Sequence, residues 1–234
     1  FDWQPGRSRS GPMDLLQGFT GDYLQSDGYE AYNYVVDKLH LTHLSCWAHA
    51  RRKFVEAYES GSIQAEPVIQ LIAELYKIES EAKENNLDFA QIKEIRKSKS
   101  LSILSQIQTV IEELSKTALP KAKLGTACAY TLKRWKELCE YCNDGELQID
   151  NNIVERSIRP VAVGRKNWLF SGSEDGAEFA AAFYSLIETC KLHKVDPAEY
   201  ISKVLIYLAD YEDEDDAGFA TLLPDAYAMK LGIE

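Results

Sequence analysis

The chain has 234 residues, 45% of them hydrophobic and 27% charged, which is enough for one large globular domain or two small ones with a sizeable core. No apolar run approaches the ~20 residues of a membrane span, and the first residues do not resemble a signal peptide. The net charge of −11 taken alone argues against a nucleic-acid partner.

That charge is unevenly spread. Asp210, Glu212, Asp213, Glu214, Asp215 and Asp216 form an acidic run near the C-terminus, read as a solvated linker or loop, and setting these six aside leaves −5. Basic residues gather at Arg51-Arg52-Lys53, at Arg156 and Arg159, and at Arg165-Lys166. A locally basic groove is compatible with an acidic total. Five cysteines at irregular spacing, without an export signal, read as reduced thiols in a cytoplasmic protein. A chain beginning at Phe1 reads as a fragment of a longer product or a trimmed piece of one.

In chain order, Phe1-Asp2-Trp3-Gln4 followed by Pro5, Gly6, Gly11 and Pro12 predicts the end of a strand and then a loop. Residues 13–20 allow one or two helical turns. Residues 22–27 alternate weakly and stop at Gly28, which predicts a short strand ending at Asp27. A helix is expected over 29–39, with Tyr32, Val35, Val36 and Leu39 on one side. A strand over 42–47 and a helix over 48–58 follow. From about 63 to 143 the periodicity is helical only. The stripes are Val68, Leu71, Ile72, Leu75 and Ile78; then Leu104, Ile107, Ile111 and Leu114; then Cys128, Leu132, Trp135, Leu138 and Cys142. Pro120 and the Asn143-Asp144-Gly145 turn interrupt them. Trp168-Leu169-Phe170 is a short apolar run, 177–192 and 197–208 are helical, and the tail with Leu222, Leu223 and Pro224 docks on the core. Strand, strand, helix, strand, helix, a helical block and then further helices describe an α/β core interrupted by a helical insertion. The expected divisions are 1–60 for part of the core, 61–146 for the insertion, 147–210 for the rest of the core, and 211–234 for an acidic linker and tail.

Between these blocks lies Asp150-Asn151-Asn152-Ile153-Val154-Glu155-Arg156-Ser157-Ile158-Arg159-Pro160. Asn151 or Asn152 suits a helix N-cap, and Pro160 predicts a helix of about two turns ending near Arg159. Asn151, Glu155 and Arg159 then share one face. On spacing alone this is also an exposed helix with an ordinary Glu–Arg pair. Asp27 at a strand end, joined by Glu155, offers hard oxygen ligands suited to Mg²⁺ or Mn²⁺, though Asp27-Gly28 is equally a plain turn signal. His43, Cys46 and His49 lack a fourth ligand for zinc, and a Cys46–His49 nucleophile lacks an orienting group. Cys139 and Cys142 read as small buried apolar residues. Arg51, Arg52, Arg165 and Lys166 are phosphate-binding candidates, and Trp47 and Trp168 beside them suit base stacking or the core.

Together, several segments resemble the insertion-sequence-66 family of bacterial transposases. They are Leu24-Gln25-Ser26-Asp27-Gly28-Tyr29-Glu30-Ala31-Tyr32-Asn33, Cys46-Trp47-Ala48-His49-Ala50-Arg51-Arg52-Lys53-Phe54, the Asp150 to Pro160 run, Gly164-Arg165-Lys166-Asn167-Trp168-Leu169-Phe170, and Ser185-Leu186-Ile187-Glu188-Thr189-Cys190-Lys191-Leu192. The likeness covers nearly the whole chain in order.

The resemblance implies a ribonuclease-H-like DDE core, interrupted by a helical insertion before the last acid. Asp27 matches the second Asp and Glu155 the Glu, both metal ligands. Cys46 and His49 match a Cys-x-x-His element with a structural role near the site. Arg51, Arg52, Lys53, Asn151, Asn152, Arg156, Arg159, Arg165 and Lys166 are the expected DNA contacts. The implied partners are transposon-end and target DNA and further copies of the chain. The family's first catalytic Asp lies upstream of the segment that resembles Phe1-Asp2-Trp3, so two of three ligands are expected here, with exposed strand edges. Two functions follow: a transposase catalytic fragment, inactive alone, or a non-catalytic DNA-binding or assembly module. A helical scaffold with no nucleic-acid role is a third.

Overall fold

Gly28 ends the first extended segment with a φ of +84°, a conformation that a Cβ disfavours. The strand before it, β1 (Tyr23–Ser26), pairs in parallel with β2 (Thr42–Ser45), from Tyr23 opposite Thr42 to Ser26 opposite Ser45. In this computed structural model, residues 1–6, 8, 10–167, 171–209 and 216–231 are described. The apolar run Trp168-Leu169-Phe170 and the acidic residues 210–215 lie outside them, as does the side chain of Asp216.

Contacts divide the chain into two compact units: Ser8–Val154, and Phe1–Arg7 with Glu155–Glu234. In the first unit, α1 (Ser10–Leu15) precedes β1, and α2 (Ala31–Leu39) carries the chain from β1 to β2. The α2 helix starts two residues later than expected, because Asp27 Oδ1 takes the Tyr29 N–H and holds residues 27–29 in a turn. Next, α3 (Trp47–Glu59) buries Trp47, Ala50, Phe54 and Ala57, a stripe at helical spacing. It packs on α4 (Glu66–Glu84) and α7 (Lys123–Lys133). The block is completed by α5 (Phe89–Ile95), the π-helical turn Arg96–Ser100, α6 (Leu101–Thr117) and α8 (Trp135–Cys139). Val68, Ile72, Leu75, Leu104, Ile107, Ile111, Cys128, Leu138 and Cys142 form its core, so the three expected stripes face one another.

One cation sits inside this block. Arg96 is 2% exposed and donates to both oxygens of Glu79 at 2.9 and 2.6 Å, and to the carbonyls of Tyr141 and Asp144 at 2.8 and 2.7 Å. Its guanidinium also lies 5.0 Å from the Tyr141 ring centroid. The pair therefore meets the condition for tolerating a buried charge, which is saturation of its hydrogen bonds.

The helix α9 (Asn152–Gly164) begins at the end of the first unit. It does not stop near Arg159 as expected but runs through Pro160 for 13 residues. Proline removes one intrahelical donor yet keeps a helical φ, and Val161 and Arg165 beyond it share a lined cavity of about 220 Å³ with Ala177, Ala180, Ala181 and Tyr184.

Within the second unit, α10 (Glu174–Leu192) is capped by Ser173 Oγ on the Gly176 N–H. With α11 (Pro197–Ala209), α12 (Asp216–Ala220) and α13 (Pro224–Leu231) it surrounds Cys190, Val195, Tyr200 and Ala228. The tail docks as expected: Tyr200 donates to the Leu222 carbonyl at 2.7 Å and packs edge-on against Tyr227.

The strand expected at Phe1-Asp2-Trp3-Gln4 does not form. That segment has no ladder neighbour among the described residues, and Phe1 instead leans on Tyr184 with ring centroids 5.8 Å apart. The described residues are mostly helical, and the sheet they form is the two-stranded parallel pair β1–β2.

Because Glu79 neutralises a buried guanidinium, Glu79→Gln is expected to lower the unfolding free energy by about 3–5 kcal/mol in urea denaturation. The double change Glu79→Leu with Arg96→Met recovers most of that loss.

Candidate metal and nucleic-acid site

Asp27 follows β1 directly and is exposed. Its Oδ1 accepts the Tyr29 N–H at 3.0 Å. The turn is held from outside as well: Tyr130 donates to the Asp27 carbonyl at 2.9 Å, and Arg134 Nη2 to the Gly28 carbonyl at 2.7 Å. Lys53 Nζ lies 4.7 Å from the Tyr130 ring centroid, so one expected DNA contact is close to the expected metal ligand. Sequence reasoning missed Tyr130 and Arg134. Their four-residue spacing puts them on one helix face, but no signal in the sequence ties that face to residues 27 and 28.

Under the turn lies a polar layer. Ser26 Oγ and His43 Nε2 share a 2.7 Å hydrogen bond, His43 Nδ1 is 3.8 Å from Glu137, and Ser45 donates to the same Glu137 oxygen at 2.6 Å. His43 is thus engaged with a serine and a glutamate. Burial holds its imidazole below the ordinary histidine range, Glu137 opposes that shift, and Arg134 adds to it.

Cys46 and His49 begin α3. The Cys46 thiol is buried, and burial pushes it up while the N–H groups of Asn151, His49 and Ala48 act the other way. Such a thiol is a poor nucleophile. The Asn151 backbone N–H thus lies at the Cys46 thiol. The other thiols behave alike: burial pushes Cys128 and Cys142 up to about 11 and Cys139 up to about 12. Trp47 is in the core, its indole N–H bonded to the Leu138 carbonyl at 2.7 Å and its backbone N–H to the Ile149 carbonyl at 3.1 Å.

The start of α9 is built by neither asparagine expected to cap it. Asp150 does this: Oδ1 accepts the Asn152 N–H at 3.0 Å, and Oδ2 accepts Asn152 Nδ2 at 2.6 Å and the Tyr76 hydroxyl at 2.8 Å. A carboxylate outcompetes an amide for these donors near the positive end of a helix. Asn151 Oδ1 is buried with no hydrogen-bond partner among the described residues.

Arg51 and Arg52 are exposed and Lys53 half-buried in the first unit; Arg156, Arg159, Arg165 and Lys166 are exposed in the second, where Glu155 is half-buried. Asp27 and Glu155 therefore belong to different units. Asp27 fits a hard divalent cation in chemistry and exposure, since Mg²⁺ takes few protein carboxylates. No group of three His, Cys, Asp or Glu able to hold a metal occurs among the described residues. No helix among them is long and apolar enough to cross a membrane.

A family profile described as "Transposase IS66 family" matches residues 1–179, and one described as "IS66 C-terminal element" matches residues 185–224. The chain belongs to the IS66 transposase family. Among curated relatives, the uncharacterized protein y4qI of Sinorhizobium fredii is 37% identical over 218 residues, covering 89% of this chain and 40% of that protein. The uncharacterized protein y4jD of the same organism is 35% identical over 197 residues, covering 81% of this chain and 38% of that one. This IS66-family chain thus spans about two-fifths of the length of the curated relatives it matches. No solved structure matches it.

A depressed histidine binds its proton more readily unfolded than folded, so its contribution falls as pH drops below about 6.5. Urea midpoints of the IS66-family chain should decline from pH 7 to pH 5, and His43→Gln should flatten that decline.

Proposed function

We propose that this chain is part of the catalytic region of an IS66-family transposase, with a ribonuclease-H-like core of which β1, α2 and β2 are a portion. The observation that carries this reading is the exposed Asp27 at the end of β1, inside the family match, bonded by the Tyr29 N–H and the Tyr130 hydroxyl and followed by Gly28, whose carbonyl takes Arg134. Asp27 and Glu155 are the carboxylates that would hold Mg²⁺ or Mn²⁺. When bound, that ion supplies Lewis-acid activation of a phosphodiester and of the attacking hydroxyl.

The chain's own residues orient and bind. Asp27 presents a carboxylate whose Oδ1 accepts the Tyr29 N–H, which orients it. Arg51, Arg52, Lys53, Arg156, Arg159, Arg165 and Lys166 neutralise DNA phosphates, and Asn151 and Asn152 shape the approach to Glu155. Transposon-end and target DNA are the partners, in an assembly of several copies. With two carboxylates available, the 234-residue chain alone is not expected to complete strand transfer.

The exposed Arg51, Arg52, Arg156, Arg159, Arg165 and Lys166 equally support a second reading, a non-catalytic DNA-binding or assembly module. Calorimetric Mn²⁺ titration separates them. The first reading expects Asp27→Ala to weaken binding at least ~10-fold, and the second expects no change. Both expect a salt-dependent DNA affinity, and Arg51→Ala or Arg165→Ala should each lower the salt slope by about 1 in a fluorescence anisotropy assay. Incubating the chain with transposon-end DNA and Mn²⁺ should give no joined product.

A further inference from the structure

We propose that the C-terminal end of α7 is a clamp on the Asp27 turn, in which Tyr130 and Arg134 are positioning residues for the Asp27 carboxylate. The proposal rests on the reading of Asp27 as a metal ligand.

A turn after a four-residue strand, with a glycine at positive φ, has little intrinsic rigidity. Here the carbonyls of its two successive residues, Asp27 and Gly28, each receive a side-chain donor from residues four apart on the helical block. Neither donor is loose. The Arg134 guanidinium lies 4.3 Å from the Tyr130 ring centroid, and Lys53 is 4.7 Å from the same centroid. Segments around 27, 53 and 130–134, remote in sequence, therefore converge on one turn.

The fit is close. A Cβ at Gly28 would meet Arg134 Nε at 2.3 Å, so a side chain there would have to displace the guanidinium, and the φ of +84° disfavours one in any case. Lys133 adds a weaker link, 3.9 Å from Glu30. With the backbone fixed, the Tyr29 N–H sets the direction of the carboxylate. Tyr130 contributes a hydroxyl donor to this carbonyl pair. A helical block lying between Asp27 and Glu155 in sequence thereby gains a task at the site. Small displacements of a ligating group weaken a metal site strongly, and supporting residues supply that accuracy.

Amide hydrogen exchange by NMR on the 234-residue chain tests the clamp without metal. Arg134→Ala should speed exchange at Gly28 and Tyr29 about tenfold, with a smaller effect from Tyr130→Phe and partial rescue by Arg134→Lys. Amides of Ile72 and Ile107 in the helical core should keep their wild-type rates. Unchanged turn amides, or equal acceleration in α4 and α6, would overturn the clamp. In a parallel Mn²⁺ titration, broadening of the Gly28 signal should half-saturate at about tenfold higher metal in Arg134→Ala than in wild type, and vanish in Asp27→Asn. Turn amides released by Arg134→Ala, without any Asp27-dependent broadening in wild type, would establish the clamp and overturn the metal role of Asp27.

Discussion

The first unit is organised around Trp47. Its indole N–H, fully buried, must find an acceptor, and the Leu138 carbonyl on α8 is that acceptor. Its backbone N–H takes the Ile149 carbonyl, and its ring meets Trp135 edge-on. One residue thus joins the end of β2, the last helix of the inserted block, and the segment leading into α9. The Asp27 turn inherits its surroundings from this junction: Arg134 and Glu137 come from the same α7–α8 corner, one above the strand ends and one beneath them.

The cationic side chains divide into two populations that net charge conceals. Arg96 is sequestered by Glu79 and two carbonyls, and Arg134 is committed to Gly28 and Tyr130. Arg51, Arg52, Arg156, Arg159, Arg165 and Lys166 are exposed. An acidic chain therefore carries solvent-facing cations while using others as internal fasteners. The acidic excess says little about either use.

Much of the first unit is legible from periodicity and punctuation. Gly28 marks the strand end, and residues spaced three and four apart, such as Val68, Ile72 and Leu75, become the faces that meet in the core. Four features were not legible, each for a physical reason. Pro160 reads as a stop, but proline keeps a helical φ and costs a helix a single donor, so α9 continues to Gly164. Asp150, one residue earlier than the asparagines, wins the helix start because a carboxylate is the stronger acceptor. The Tyr130 and Arg134 contacts span more than a hundred residues, and polar contacts at such range leave no period in a sequence. The segment Phe1-Asp2-Trp3-Gln4 has strand-like composition, yet composition cannot provide a neighbouring strand.

Four of the five thiols are buried, the fifth is half-buried, and all are shifted upward by desolvation. At neutral pH they are almost wholly protonated and shielded from alkylating reagents. A solvent-facing cysteine introduced at Ser8 or Arg156 would therefore outcompete them for maleimide or methanethiosulfonate. Spin labels or fluorophore pairs can then report the spacing of the two units in solution, with every native sulfur left in place.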